Sequence, residues 1–163
     1  MPTFAGIDHL SLSVTDLDRS QRFYTDVLDF IPVLDFGSAR SLFHRRTRFF
    51  LALVRHEGGN GTPFTELATG LDHVGLVAAD LDELIAWEQR FEALGVVYTP
   101  IREMEFGHHL NFRDPDNIPL EFTISNETML GWMDELAERE FTPEEIQARV
   151  AEYLASREGG VPA

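Results

Sequence analysis

Histidine recurs at a fixed step in this 163-residue chain. Sliding the sequence against itself by 64 residues lays Gly6-Ile-Asp-His9-Leu-Ser-Leu-Ser-Val-Thr-Asp-Leu-Asp18 over Gly70-Leu-Asp-His73-Val-Gly-Leu-Val-Ala-Ala-Asp-Leu-Asp82, and seven of the thirteen pairs are identical. Shared apolar alternation alone would not keep Gly, Asp, His and Asp-Leu-Asp at equal offsets, so two homologous modules are expected. An imidazole at the same place in both copies can carry a proton near neutrality or ligate a metal. Cysteine is absent and all 13 basic residues are arginine. Thiol catalysis, zinc–thiolate and iron–sulfur sites, disulfides, Schiff-base chemistry and a phosphate-loop lysine are therefore excluded.

The elements that position these residues follow from the local pattern. Each His opens a segment that alternates with period two: Leu10, Leu12 and Val14 against His9, Ser11 and Ser13, then Val74, Leu76 and Ala78 against His73, Gly75 and Val77. Asp16 or Thr15, and Asp80 in the copy, stand where a helix N-cap belongs. Leu17, Phe23, Val27 and Leu28 form a rough apolar stripe in the first helix, and Leu81, Leu84, Ile85, Phe91 and Leu94 a cleaner one in the second. Strands are expected at 31–36, 40–44 and 48–56, and again at 96–101, 108–113 and 118–124, with Asp114-Pro115-Asp116-Asn117 as a strong turn signal. The organisation is thus a βαβββ module over 1–57, a Gly-rich linker over 58–69, a second βαβββ module over 70–125 and a helical extension over 126–163. In the extension, Thr142-Pro143-Glu144-Glu145 carries an N-cap, a first-position proline and a capping-box glutamate, and Ile146, Val150, Tyr153 and Leu154 form a stripe.

Paired modules that each open on Asp-His, the second closing on Arg113-Asp-Pro-Asp-Asn-Ile-Pro-Leu-Glu121-Phe122, resemble the vicinal oxygen chelate superfamily of glyoxalases, extradiol dioxygenases, fosfomycin-resistance transferases and bleomycin-binding proteins. The resemblance spans roughly residues 4–124. It implies an α+β fold in which two tandem βαβββ modules form a cupped mixed sheet. It also implies a divalent metal on the concave face, held at the positions that map to His9, His73 and Glu121. Two imidazoles and one carboxylate leave coordination positions open for substrate or dioxygen, and Fe, Mn, Ni, Co and Zn are all admissible.

Departures from the family narrow the chemistry. Aligning Leu51 with Leu120 puts Ala52 opposite Glu121, where a glyoxalase I would supply a fourth ligand. Asn111 and Arg102 occupy the places of the tyrosine and histidine of extradiol dioxygenases, which argues against ordinary catechol cleavage. His109 and Asn111 alternate with Leu110 and Phe112 and should share the metal-facing side, so His109 is the candidate general acid or base beside Glu121, and Asn111 a substrate contact. Arg48 and Phe50 share the strand face of Ala52 and are both candidate substrate contacts, and Arg48 could hold a substrate carboxylate or phosphonate bidentately. Phe36, Phe43, Trp87, Tyr98 and Phe106 could line an apolar cavity, although each alone reads as well as core.

A formal net charge of −15 deprives nucleic acid and anionic membranes of the counter-charge they need. No apolar run is long enough to span a bilayer, and no leader pattern precedes the first module. The expectation is a cytoplasmic homodimer, a metal-dependent lyase, isomerase or dioxygenase acting on a small substrate chelated through vicinal oxygens. The competing expectation is a metal-free protein that sequesters a cationic drug of the bleomycin kind.

Overall fold

The computed structural model describes residues 2 and 4–158. Residues 1 and 3, and residues 159–163 of the expected extension, lie outside the described residues. The chain divides into two compact units, Met1–Ile124 and Ser125–Ala163.

The first unit holds both modules, and each makes its own four-stranded mixed sheet. In the first, β1 (His9–Ser13), α1 (Leu17–Asp26), β2 (Ile31–Asp35), β3 (Ala39–His44) and β4 (Phe49–Val54) give the order β1-β4-β3-β2. In the second, β5 (Val74–Val77), α2 (Leu81–Leu94), β6 (Arg102–Met104), β7 (Gly107–Arg113) and β8 (Pro119–Ser125) give the same order, β5-β8-β7-β6. In both, the first strand runs parallel to the last, so Ser11 pairs with Ala52 as Gly75 pairs with Glu121. That parallel pairing requires a crossover, which the helix supplies.

The apolar side of each sheet lies under its helix. Leu12, Val14, Leu42, Leu51 and Leu53 are buried with Leu17, Tyr24, Val27 and Leu28 of the α1 region. In the second module Leu110, Phe112, Leu120 and Phe122 are buried with Leu84 and Phe91 of α2. Trp87 stacks on Phe122 at 4.6 Å, and Phe91 lies 4.6 Å from Phe112. Trp87 and Tyr98, expected among cavity-lining aromatics, belong instead to this packed layer. Because α2 rests on the face centred at Leu84, Trp87 and Phe91, the expected stripe is narrower than its sequence: Leu81, Ile85 and Leu94 sit at its margins and remain exposed.

Capping resolves as the residue types dictate. Asp16 accepts from the backbone N–H groups of Asp18 and Arg19, and Asp80 from that of Glu83. Gly95 closes α2 in the left-handed conformation, φ 66°. The strand expected at 96–101 is not continuous. Tyr98 makes a single bridge to Phe112, and the named strand begins only at Arg102. Pro100 interrupts the run because it has no N–H to donate to the ladder.

A polar seam joins the modules. The Asp116 carboxylate, almost wholly buried, accepts from the Thr15 N–H and hydroxyl, from Arg19 at 2.6 Å and from the Ser20 hydroxyl. Tyr24 donates to Asp114 at 3.1 Å, and Arg90 of α2 donates to the Val27 carbonyl just past α1 at 2.9 Å. The linker is tied to the same turn: Phe64 N–H donates to the Asp116 carbonyl, Asn117 donates back to the Phe64 carbonyl, and Arg113 pairs with Glu66 at 2.6 Å.

In the second unit, α3 (Glu127–Glu138) is capped by Asn126, and α4 (Pro143–Glu158) begins in a complete capping box, Glu145 N–H to Thr142 and Thr142 N–H to Glu145. Trp132 and Tyr153 meet edge to face at 5.4 Å, and Arg149 pairs with Glu135 and lies over Phe141. No helix among the described residues is long and apolar enough to cross a membrane.

Burial pushes the Asp114 carboxyl up to about 6, against the opposing hydrogen bonds from Ile118 N–H, Tyr24 and Asp116 N–H. A folded-state value above the unfolded one favours the protonated form, so this group's contribution is complete at low pH and is lost as pH rises through about 6. Asp114→Asn keeps an oxygen for the two backbone donors and should stabilise the protein at pH 7.5 by about 1–3 kcal/mol, with little effect at about pH 3.5, below the unfolded carboxylate range. Urea denaturation at both pH values measures this; an equal shift at both would contradict it.

Candidate metal centre

The repeated Asp-His pair has the same geometry in both modules. Asp8 binds His9 Nδ1 at 2.7 Å, and Asp72 binds His73 Nδ1 at 2.7 Å. Each Asp precedes its strand, and Gly6 and Gly70 stand two residues earlier at φ 144° and 154°, a conformation suited to glycine. The recurrence of Gly-x-Asp-His is thereby explained: the glycine turns the chain and the aspartate fixes the ring. With Nδ1 holding the proton, Nε2 is the lone-pair nitrogen, the arrangement found in carboxylate–histidine–metal units. Asp8 and Asp72 were legible as motif residues, but their role required the geometry.

Glu121 is supplied by β8 at the position paired with Gly75. It is 8% exposed, the one buried carboxylate on this face of the second sheet. Its Oε2 lies 3.6 Å from His73 Nε2, and its Oε1 accepts from His109 Nδ1 at 2.5 Å. A side chain at Gly75 would begin 3.7 Å from Oε2, so the glycine leaves the carboxylate room. The face behind Glu121 is the aromatic layer, with Phe112 and Phe122 stacked at 5.3 Å, which gives β8 a rigid backing.

The structure thus brings His73, His109 and Glu121 together, and Asn111 follows on the same face by alternation along β7. It does not bring His9 to them. His9 opens β1 on the other sheet, opposite Phe50 in register, and among the described residues no three His, Asp or Glu side chains are arranged to hold a metal ion. The expected trio does not converge within one chain. Phe50 packs on Phe43 at 4.8 Å on the open side of the first sheet, where Ala52 is paired with Ser11. Arg48 lies outside β4, in the β3–β4 turn at φ 56°, so strand alternation does not place it with Phe50 and Ala52.

The donor set suits a divalent ion: borderline imidazoles oriented by carboxylates, and one carboxylate shielded from water. His109 gives Glu121 its hydrogen bond, and removing it would leave a buried carboxylate oxygen without that partner. In the presence of chelator, His109→Leu should lower stability by about 1–3 kcal/mol, and His109→Gln, which retains an N–H donor, should lower it less. Thermal denaturation decides; equal losses would show that the imidazole acts only by packing.

Comparison with known proteins agrees with this architecture. A family model described as the Glyoxalase/Bleomycin resistance protein/Dioxygenase superfamily matches residues 6–122. No curated protein sequence matches the chain significantly. Among solved structures, a glyoxylase/bleomycin resistance protein/dioxygenase domain from Frankia sp. EAN1pec is 33% identical, aligning over 76% of this chain and 100% of its own with a TM-score of 0.70. The fosfomycin resistance protein FosX from Mesorhizobium loti is 21% identical over 78% of this chain and 98% of its own, TM-score 0.59. A variant of FosX from Listeria monocytogenes, complexed with Mn(II) and 1S,2S-dihydroxypropylphosphonic acid, is 19% identical over 77% of this chain and 94% of its own, TM-score 0.59. The duplicated βαβββ modules, their paired Asp-His strands and the match across 6–122 place the chain in the glyoxalase/bleomycin resistance protein/dioxygenase superfamily.

Proposed function

We propose that the protein is a divalent-metal-dependent enzyme acting on a small substrate held through vicinal oxygens, and that each centre takes His73 and Glu121 from one copy and His9 from a second. The observation that carries this reading is the pair of histidines held alike by their aspartates in two separately paired sheets, with no metal-type group of three among the described residues. Open apolar surface on both sheets supports the pairing. Leu34 (52% exposed) and Phe50 (43%) lie on the His9 face, and Val77 (84%) lies on the Glu121 face. A face over face homodimer would remove them from water.

A bound divalent ion supplies Lewis-acid polarisation of the substrate oxygens. His9 and His73 offer Nε2, and Glu121 offers Oε2. His109 holds its Nδ1 proton on Glu121, which leaves Nε2 to exchange a proton with the substrate. Phe50 and Asn111 line the two sides, and Ala52 leaves the space that a fourth protein ligand would fill. Fe, Mn, Ni, Co and Zn remain admissible by donor type, and the Mn(II) in FosX from Listeria monocytogenes makes manganese the first to test.

Elemental analysis of protein purified without chelator should find about one metal per chain, lost in Glu121→Ala and in His9→Ala. Mixing these two variants after partial denaturation and refolding should restore one intact centre per mixed dimer, since His9 of one copy then meets Glu121 of the other. Restored metal and turnover support the shared centre, whereas a centre within one chain would stay empty in every mixture. Metal absent from the wild type and not taken up on reconstitution would favour the drug-sequestering reading.

A further inference from the structure

Arg102 lies on the strand face that carries Glu121. In antiparallel β6–β7 pairing, Arg102 stands directly opposite His109, and directly opposed residues project to the same side of a sheet. His109 in turn donates to Glu121. The sequence marked Arg102 only as the residue that replaces a family histidine.

Its charge is uncompensated. The chain carries 28 acids against 13 arginines, and several arginines are matched: Arg19 with Asp116, Arg40 with Asp18 and Asp35, Arg46 with Glu83, Arg113 with Glu66. Arg45, Arg48 and Arg55 make no side-chain ion pair among the described residues either, but none of them lies on the second sheet. The Arg102 guanidinium has no side-chain partner among the described residues. Glu121 does not neutralise it, because Oε1 is taken by His109 and Oε2 faces His73. Glu103, the next residue, pairs in register with His108 and so projects to the opposite face.

An unpaired guanidinium beside a metal-type donor set matches one ligand chemistry well. Its planar fork binds carboxylate and phosphonate oxygens in pairs, and it would add positive charge where the remainder of the protein is negative. We infer that Arg102 determines substrate choice at this centre, and that the substrate carries an oxyanion, carboxylate or phosphonate, next to its chelating oxygens. This inference rests on the metal-centre reading above.

The test uses the full-length protein loaded with Mn(II), its metal content verified by elemental analysis, and two chelating probes. Phosphonoformate presents an additional oxyanion; acetohydroxamate binds metal through two oxygens without one. By titration calorimetry, Arg102→Ala should weaken phosphonoformate by about tenfold or more and leave acetohydroxamate unchanged. Arg102→Lys should recover part of the loss, because it restores the charge but not the fork. Equal effects on both probes, no effect on either, or failure of phosphonoformate to bind the metal-loaded wild type would overturn the inference while leaving the centre in place. Failure of the wild type to take up Mn(II) would overturn the centre, and this inference with it.

Discussion

The Asp116 carboxylate, 3% exposed and met by donors from Thr15, Arg19 and Ser20, is the interaction on which the arrangement of the first unit turns. A buried charge of this kind is tolerated only when its hydrogen bonds are satisfied, so the turn at 114–117 and the start of α1 must be in place together. That turn also joins β7 to β8 and so fixes where Glu121 emerges. With Arg90 bound to the carbonyl just past α1, the modules meet through helices and turns. The polar faces of both sheets are left open, and among the described residues His9 and Glu121, on different sheets, are not gathered into one metal-type group although each is well placed on its own.

The duplication is exact where orientation is needed and broken where chemistry is needed. Glycine, aspartate and histidine are kept at equal offsets, and the two Asp–His contacts have equal length. The last strands diverge: Glu121 in one, Ala52 in the other. If both carried a carboxylate, a paired site would gain a fourth protein ligand and lose an open position. Under the proposed reading, a single carboxylate per pair of modules instead leaves room for two substrate oxygens, the requirement for chelation.

The repeat made the fold legible, because alternation, caps and turn residues agree with one another in both copies. Asp16, Asp80 and Thr142 are N-caps because short oxygen-bearing side chains satisfy the first helical N–H groups, a local rule that needs no tertiary information. What could not be read depends on neighbours distant in sequence. Tyr24 is buried because Asp114, 90 residues later, receives its hydroxyl. Leu81 and Ile85 are exposed because the second sheet offers α2 only the width of Leu84, Trp87 and Phe91. Arg48 leaves the strand because its backbone turns left-handed to close the β3–β4 connection. The same limit applies at the site. Self-alignment identifies equivalent residues but carries no information on which faces meet, so His9 could be matched to His73 without being placed beside it.

A centre divided between copies joins two equilibria that are separate in a self-contained metalloenzyme. Under the proposed reading, an ion held by His73 and Glu121 alone has two protein ligands, and the third arrives only with association. Metal affinity must then rise with protein concentration, and the dimer must tighten in metal by the same free energy, because linkage between two binding events is reciprocal. The open residues Leu34, Phe50 and Val77 act in the same direction: covering them favours association without metal, and holds the two half-sites in register before the ion enters. Apolar contact therefore sets how often the complete site exists, and the three ligands set how long it lasts. Mutations on the open faces far from any ligand should change metal retention as surely as mutations of the ligands themselves.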